Sequence, residues 1–76
     1  MNRECVMKLT SDKKLWIENF KTLLKYENSE IVLRTKEGTI CIQGKRLTIS
    51  YFSEEDMFIS GKITCVMVKN TGGESV

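Results

Sequence analysis

Seventy-six residues, 41% of them hydrophobic and 29% charged, allow one domain with a thin core, because a domain of about 60 residues buries only ~60% of its unfolded surface. Twelve basic against ten acidic side chains leave a net charge of +2, which argues against a strongly basic nucleic-acid binder and against an acidic disordered tail. No apolar run approaches the ~20 residues of a membrane helix, and Asn2-Arg3-Glu4 does not open a signal peptide. A cytoplasmic protein is expected, without direct membrane insertion.

In chain order, Cys5-Val6-Met7-Lys8-Leu9 reads as a first strand, Ser11-Asp12-Lys13-Lys14 as its turn, and Leu15-Trp16-Ile17-Glu18-Asn19 as a second. The segment Phe20 to Tyr26 satisfies helical as well as strand spacing; a strand from Leu23 to Tyr26 is favoured, closed by Glu27-Asn28-Ser29. From there strict alternation organises the chain. Ile31 and Leu33, Ile40 and Ile42, Leu47 and Ile49, Met57 and Ile59, and Ile63 with Cys65 and Met67 each place apolar side chains on one strand face.

The spacers carry turn chemistry. Lys36-Glu37-Gly38 suits a loop with glycine at positive φ, while Gly44-Lys45 and Gly61-Lys62 suit two-residue hairpin turns. Ser53-Glu54-Glu55-Asp56 is a solvated connection in which Ser53 is placed to cap one helical turn. The absence of proline fits uninterrupted ladders. The expected fold is all-β: a small antiparallel meander of roughly seven or eight short strands, forming a sandwich or roll, with a short β-solenoid-like stack as the alternative. Residues 1–69 form the single domain, and residues 70–76 lack an apolar pattern and read as a flexible tail. Arg34, Thr39, Gln43, Arg46, Thr48 and Ser50 mark a wet face. Phe52, Phe58, Val32 and Val66 interrupt its polarity, so the amino-terminal strands or another copy should cover parts of it.

Chemistry-bearing constellations are scarce. Cys5, Cys41 and Cys65 are odd in number and widely spaced within apolar runs, which fits small core hydrophobes in a reducing compartment. Without histidine or a Cys-x-x-Cys pair, no structural metal is expected. Gly38 to Arg46 is one residue too long for a phosphate loop and leads into a strand. Glu54, Glu55 and Asp56 lack the alternating ligands, the glycine and the distal glutamate of a calcium loop. With no Ser-x-x-Lys pattern either, no catalytic residue is nominated, no cofactor is implied, and no enzyme is expected. Glu18 and Asn19 are an acid and an amide in an apolar run, best read as a surface-facing strand residue and a turn-forming asparagine. Lys13, Lys14, Lys21 and Lys25 near Trp16 offer a phosphate-binding alternative, though lysines that blunt a sheet edge explain them as well.

Three segments together resemble the YabP/YqfC family of small sporulation proteins. They are Leu15-Trp16-Ile17-Glu18-Asn19-Phe20-Lys21 with the following Leu23-Leu24-Lys25-Tyr26, the glycine-bracketed run Gly38 to Ile49, and Met57-Phe58-Ile59-Ser60-Gly61-Lys62-Ile63. The resemblance covers about residues 15–66; Phe20 and Thr22 stand where the family often has histidine or tyrosine and glycine. It implies a non-enzymatic protein of the mother cell or forespore cytoplasm, contributing to spore development or coat assembly beside other sporulation proteins. In one branch of the family the partner is a membrane protein, which would hold the chain at the membrane periphery.

The expected role is therefore an assembly or adaptor module that docks a sporulation partner or another copy of itself, by strand addition or homo-oligomerisation. Trp16, Phe20, Tyr51, Phe52 and Phe58 are the candidate anchors, because large aromatic residues dominate interface energetics. Ordinary core packing explains at least three of the five equally well. A small nucleic-acid-binding β domain is the alternative function, disfavoured by the charge balance.

Overall fold

The computed structural model describes residues 4–70. These form six strands and no helix: β1 (Val6–Ser11), β2 (Lys14–Glu18), β3 (Phe20–Glu27), β4 (Glu30–Thr35), β5 (Gly38–Phe52) and β6 (Asp56–Asn70). Every neighbouring pair is antiparallel, in one sheet of order β1-β2-β6-β5-β4-β3. β3 to β6 follow one another as a meander, and the β1–β2 hairpin adds to the far edge of β6. The all-β, antiparallel expectation holds, with six strands in place of seven or eight and a single sheet in place of a solenoid stack.

The lower strand count has one cause. Gly44-Lys45 and Gly61-Lys62 are not hairpin turns; each lies inside a 15-residue strand, β5 or β6. The two strands pair along both their halves, with register breaks at Gln43/Gly44 and Lys45/Thr48. Around these breaks Arg46 takes φ 55 and Gly61 φ 126, the left-handed excursion that also builds tight turns. A Cβ on Gly44 would collide with the Lys62 carbonyl, so only glycine lets the two bulged backbones meet there. Glycine chemistry therefore signals a bend as readily as a reversal, and long-range pairing decides which forms.

The bend folds the open sheet over, with β1 and β3 left as its edges. Leu15 and Ile17 of β2, Met57 and Ile59 of β6 and Leu47 of β5 come from one side of it. Ile31 and Leu33 of β4, Ile40 and Ile42 of β5 and Ile63 of β6 come from the other, and all join one buried cluster with Phe20. Seven of the larger side chains, Ile17, Leu33 and Ile59 among them, are fully enclosed, which a flat sheet with one wet face cannot achieve. Each such side chain contributes about 1.5–3 kcal/mol. Cross-links between the halves fix the roll: Leu47 N–H donates to the Asn28 carbonyl at 2.8 Å, Gly44 N–H to Ser29 at 3.1 Å, and Ile63 N–H to Asp12 at 2.7 Å. Asn28-Ser29 and Asp12-Lys13 are the expected turns after β3 and β1, here also serving as clasps over the bend.

Other local expectations divide. The ambiguous segment is strand from Phe20 onward. The β4–β5 turn sits at Lys36-Glu37, but Gly38 does not take the positive φ expected of it; Thr35 Oγ1 closes the turn by accepting from the Glu37 and Gly38 amides. Ser53 Oγ accepts from the Asp56 amide at 3.0 Å, so the cap forms, around a tight β5–β6 turn and not a helical one. The amino-terminal strands extend the sheet at β6 and do not cover its outer face. The cysteines are not fully buried core residues: all three are half-buried thiols, with Cys5 packed against the cluster's rim. Alternation explains Cys41, whose neighbours Ile40 and Ile42 take the inward positions. Of the expected tail, Asn70 ends β6 and residues 71–76 lie outside the described residues.

Candidate functional site

The five aromatic candidates separate into two groups. Trp16 of β2 pairs in register with Phe58 of β6, and Phe58 with Tyr51 of β5, so the three form a row across the outer face. Trp16 stacks on Tyr51 at 5.7 Å between centroids and 25° between planes, and meets Phe58 at 6.0 Å and 50°, geometries that stabilise aromatic pairs beyond their burial. Glu18 Oε2 accepts from the Trp16 indole N–H at 2.8 Å and holds the ring's orientation. Phe20 is a core residue, and Phe52, 54% exposed, lies on it at 5.6 Å. Tyr51 is 50% exposed, so the outward-reaching members are Tyr51 and Phe52, adjacent on β5 just before its tip.

Asn19 performs the corner that its sequence context indicates. It takes φ 66, which asparagine tolerates better than most residues, and carries the chain from β2, paired with β6, to β3, paired with β4. Its amide donates to Asp56 Oδ1 at 3.4 Å and its side-chain N–H to the Glu4 carbonyl at 2.9 Å. Phe20 N–H donates to the Glu55 carbonyl, tying this corner to the β5–β6 tip.

A second feature appears at the bend. Lys13 and Lys14 from β1–β2, Lys45 and Arg46 from the β5 bulge and Lys62 from β6 line one open cleft of about 620 Å³ with Ser60 and Gly61. At its rim Lys62 Nζ lies 3.8 Å from Asp12 Oδ2, an ion pair exposed on both sides and weak on that account. Sequence reasoning grouped Lys13 and Lys14 with Lys21 and Lys25; the fold joins them instead to Lys45, Arg46 and Lys62, while Lys25 pairs with Glu30 at 2.7 Å. The signal was present in the repeated Gly-Lys of residues 44–45 and 61–62, which meet across the ladder because Lys45 and Lys62 are register partners.

On the outer face of the other half, Glu30 gathers Cys41, Lys25 and Gln43. The thiol hydrogen bond from Cys41, then that from Lys25, hold the Glu30 carboxyl down at about 2. The same bond to Glu30, then burial, push the Cys41 thiol up to about 11. Burial, then the nearby Glu37 charge, raise the Cys5 thiol. Raised thiols are poor nucleophiles, so this cluster organises charge and does not activate sulfur. Among the described residues no group of three or more metal-ligating side chains assembles, and no helix is long and apolar enough to cross a membrane.

The model of the YabP family matches residues 1–74, nearly the whole chain. The chain belongs to the YabP family. No curated protein and no solved structure matches it significantly. The family match extends the resemblance seen over residues 15–66 to both ends, and makes this a sporulation-related protein. Within this YabP-family fold, the Glu18-Asn19-Phe20 segment is the corner between the two halves, and the two glycine-centred segments are the facing bulges of the bend.

Proposed function

We propose that this YabP-family chain is a non-enzymatic assembly or adaptor module of endospore development or coat formation, working in the cytoplasm of the mother cell or forespore through protein contacts. The observation that carries the reading is the placement of its exposed apolar side chains. Leu9 on edge strand β1, Leu24 and Tyr26 on edge strand β3, Tyr51 and Phe52 near the β5–β6 tip, and Val68 late in β6 are all between 46% and 56% exposed. Edge strands offer unpaired N–H and C=O groups as a template for partner strands, and exposed apolar side chains beside them are an aggregation hazard if left uncovered. For nucleic acid the support is thinner: one face of Trp16 is occupied by Tyr51, and Lys25 is engaged with Glu30.

The test is genetic and structural together. Deletion in the sporulating host is expected to impair spore formation, wild-type chain to restore it, and a Tyr51→Ala/Phe52→Ala chain that keeps its circular-dichroism spectrum and melting transition to fail. Normal sporulation in the deletion strain, or full rescue by the folded double variant, would remove the assembly reading or its proposed anchors respectively.

A further inference from the structure

We propose that the basic cleft at the bend receives the acidic β5–β6 tip of a second copy of this chain, so that the protein assembles head to tail. This names one partner for the assembly role above and rests on that reading. The two ends of the contact are opposite in charge and fixed in place. Lys13, Lys14, Lys45, Arg46 and Lys62 converge at the bend, a concentration out of proportion to a chain of net charge +2. At the far end of the same half-sheet, Glu54 and Glu55 stand exposed, Asp56 follows, and Glu18 is the register partner of Asp56. Lys21 also stands at that corner, next to the Phe20 whose amide donates to the Glu55 carbonyl.

A chain cannot make this contact with itself. The ladder from Lys45↔Lys62 to Phe52↔Met57 runs along continuous β5 and β6, and at ~3.3 Å per residue it holds tip and cleft roughly 20 Å apart. A tip in a neighbour's cleft leaves one free tip and one free cleft, a heterologous contact that propagates. The tip also brings the exposed Tyr51 and Phe52 to the cleft margin, where lysine stems offer apolar contact beneath their charged ends.

The backbone argues for carboxylates over phosphate as the anion. Phosphate loops present free amides to the ligand, but here the amides of Gly44, Leu47, Gly61 and Ile63 already donate to the carbonyls of Ser29, Asn28, Lys13 and Asp12. What remains is a set of cationic side chains, four of them lysines, suited to several separated carboxylates.

Sedimentation velocity on the full chain tests the pairing with two neutralised variants, Lys45→Gln/Lys62→Gln in the cleft and Glu54→Gln/Glu55→Gln at the tip, each checked for an unchanged fold by circular dichroism. In about 0.02 M salt the wild-type chain is expected to form species that grow with concentration, weakening at least tenfold in about 0.5 M salt. Each variant alone should weaken by a similar factor, and their equimolar mixture should give a 1:1 dimer that grows no further, because only one tip and one cleft remain intact. A wild-type chain that stays monomeric up to about 1 mM, variants that assemble like wild type, or a mixture no more associated than its components would overturn the proposal. So would a monomer that binds inorganic tripolyphosphate and loses it in Lys45→Gln/Lys62→Gln, which would give the cleft to a phosphate ligand. None of these results touches the Tyr51 and Phe52 rescue experiment, so the pairing can fail while docking to a different partner stands.

Discussion

Cys41 Sγ donates to Glu30 Oε2 at 2.9 Å, from β5 to the start of β4 on the outer face of the roll. The bond protects the thiol by keeping its proton, with the Cys41 pKa pushed up to about 11 from an ordinary 9.0. Glu30→Gln removes the charge that holds that proton. Alkylation of Cys41 by iodoacetamide at neutral to mildly basic pH should then accelerate by roughly 10- to 100-fold, read by mass spectrometry against Cys65 in the same chain. An unchanged Cys41 rate would mean that the bond does not persist in solution.

Acid stability follows from the same carboxylate. The Glu30 pKa is depressed from 4.5 to about 2 in the fold, so its contribution is complete above pH 4.5 and is lost as pH falls toward 2. Lys25, raised above 10.5 first by its hydrogen bond to Glu30, contributes fully below 10.5 and loses that contribution only in more basic solution. Urea midpoints measured from pH 7 to pH 2 should therefore fall below pH 4.5, and Glu30→Gln should flatten that part of the fall. Equal slopes in both proteins would assign the acid sensitivity to other carboxylates.

Asn19 holds the corner between the two halves at φ 66. Asn19→Gly should be tolerated, whereas Asn19→Ala should cost about 1–2 kcal/mol from left-handed strain, with loss of the side-chain bond to Glu4 besides. Chemical denaturation of the three proteins provides the comparison. If alanine is tolerated as well as glycine, the corner is not held in the left-handed region.

At the bend, Gly61 sits at φ 126 with the Arg46 carbonyl where a side chain would begin. Gly61→Ala should destabilise by about 2 kcal/mol or more. Arg46→Gly, which relieves a left-handed arginine, should be neutral or stabilising by up to ~1 kcal/mol. Opposite signs at two facing residues of one bulge would be hard to obtain from anything but backbone geometry.

The Phe20–Phe52 pair separates core from surface within one contact. Phe20 is buried and Phe52 mostly exposed, so Phe20→Ala should cost about 3–5 kcal/mol and Phe52→Ala less than ~1.5 kcal/mol. Thermal unfolding of both variants tests this. Similar losses would make Phe52 a structural residue and withdraw it from the candidate surface.

Sequence alone read the inward set well. Ile31, Leu33, Ile40, Ile42, Leu47, Met57, Ile59 and Ile63 follow a period of two, and all are buried, because burial on one strand face leaves little freedom of register. Alternation also placed Cys65 and Met67 inward with Ile63, but the bulge of β6 opposite Gln43 and Gly44 shifts the register and both lie nearer the surface. The same local signal, glycine before lysine, fits a reversal and a bend equally, and pairing between residues far apart in sequence selects the bend. The basic cleft was hidden for that reason: Lys13 and Lys45 become neighbours only once β2 and β5 flank the same end of β6. Of the aromatic candidates, alternation could not tell Phe20, which fills the core at the corner, from Phe52, which covers it from outside.

The pairing of β2 with β6 carries a consequence for synthesis. Leu15 waits for Ile59 and Ile17 for Met57, partners about 40 residues later in the chain, and such distant pairings slow folding. On the ribosome, the β1–β2 hairpin emerges before β6 and has no edge to join until the start of that strand has followed it out. Its apolar face is therefore open for longer than any other part of the sheet, which makes the youngest chain the one most vulnerable to capture by a neighbour.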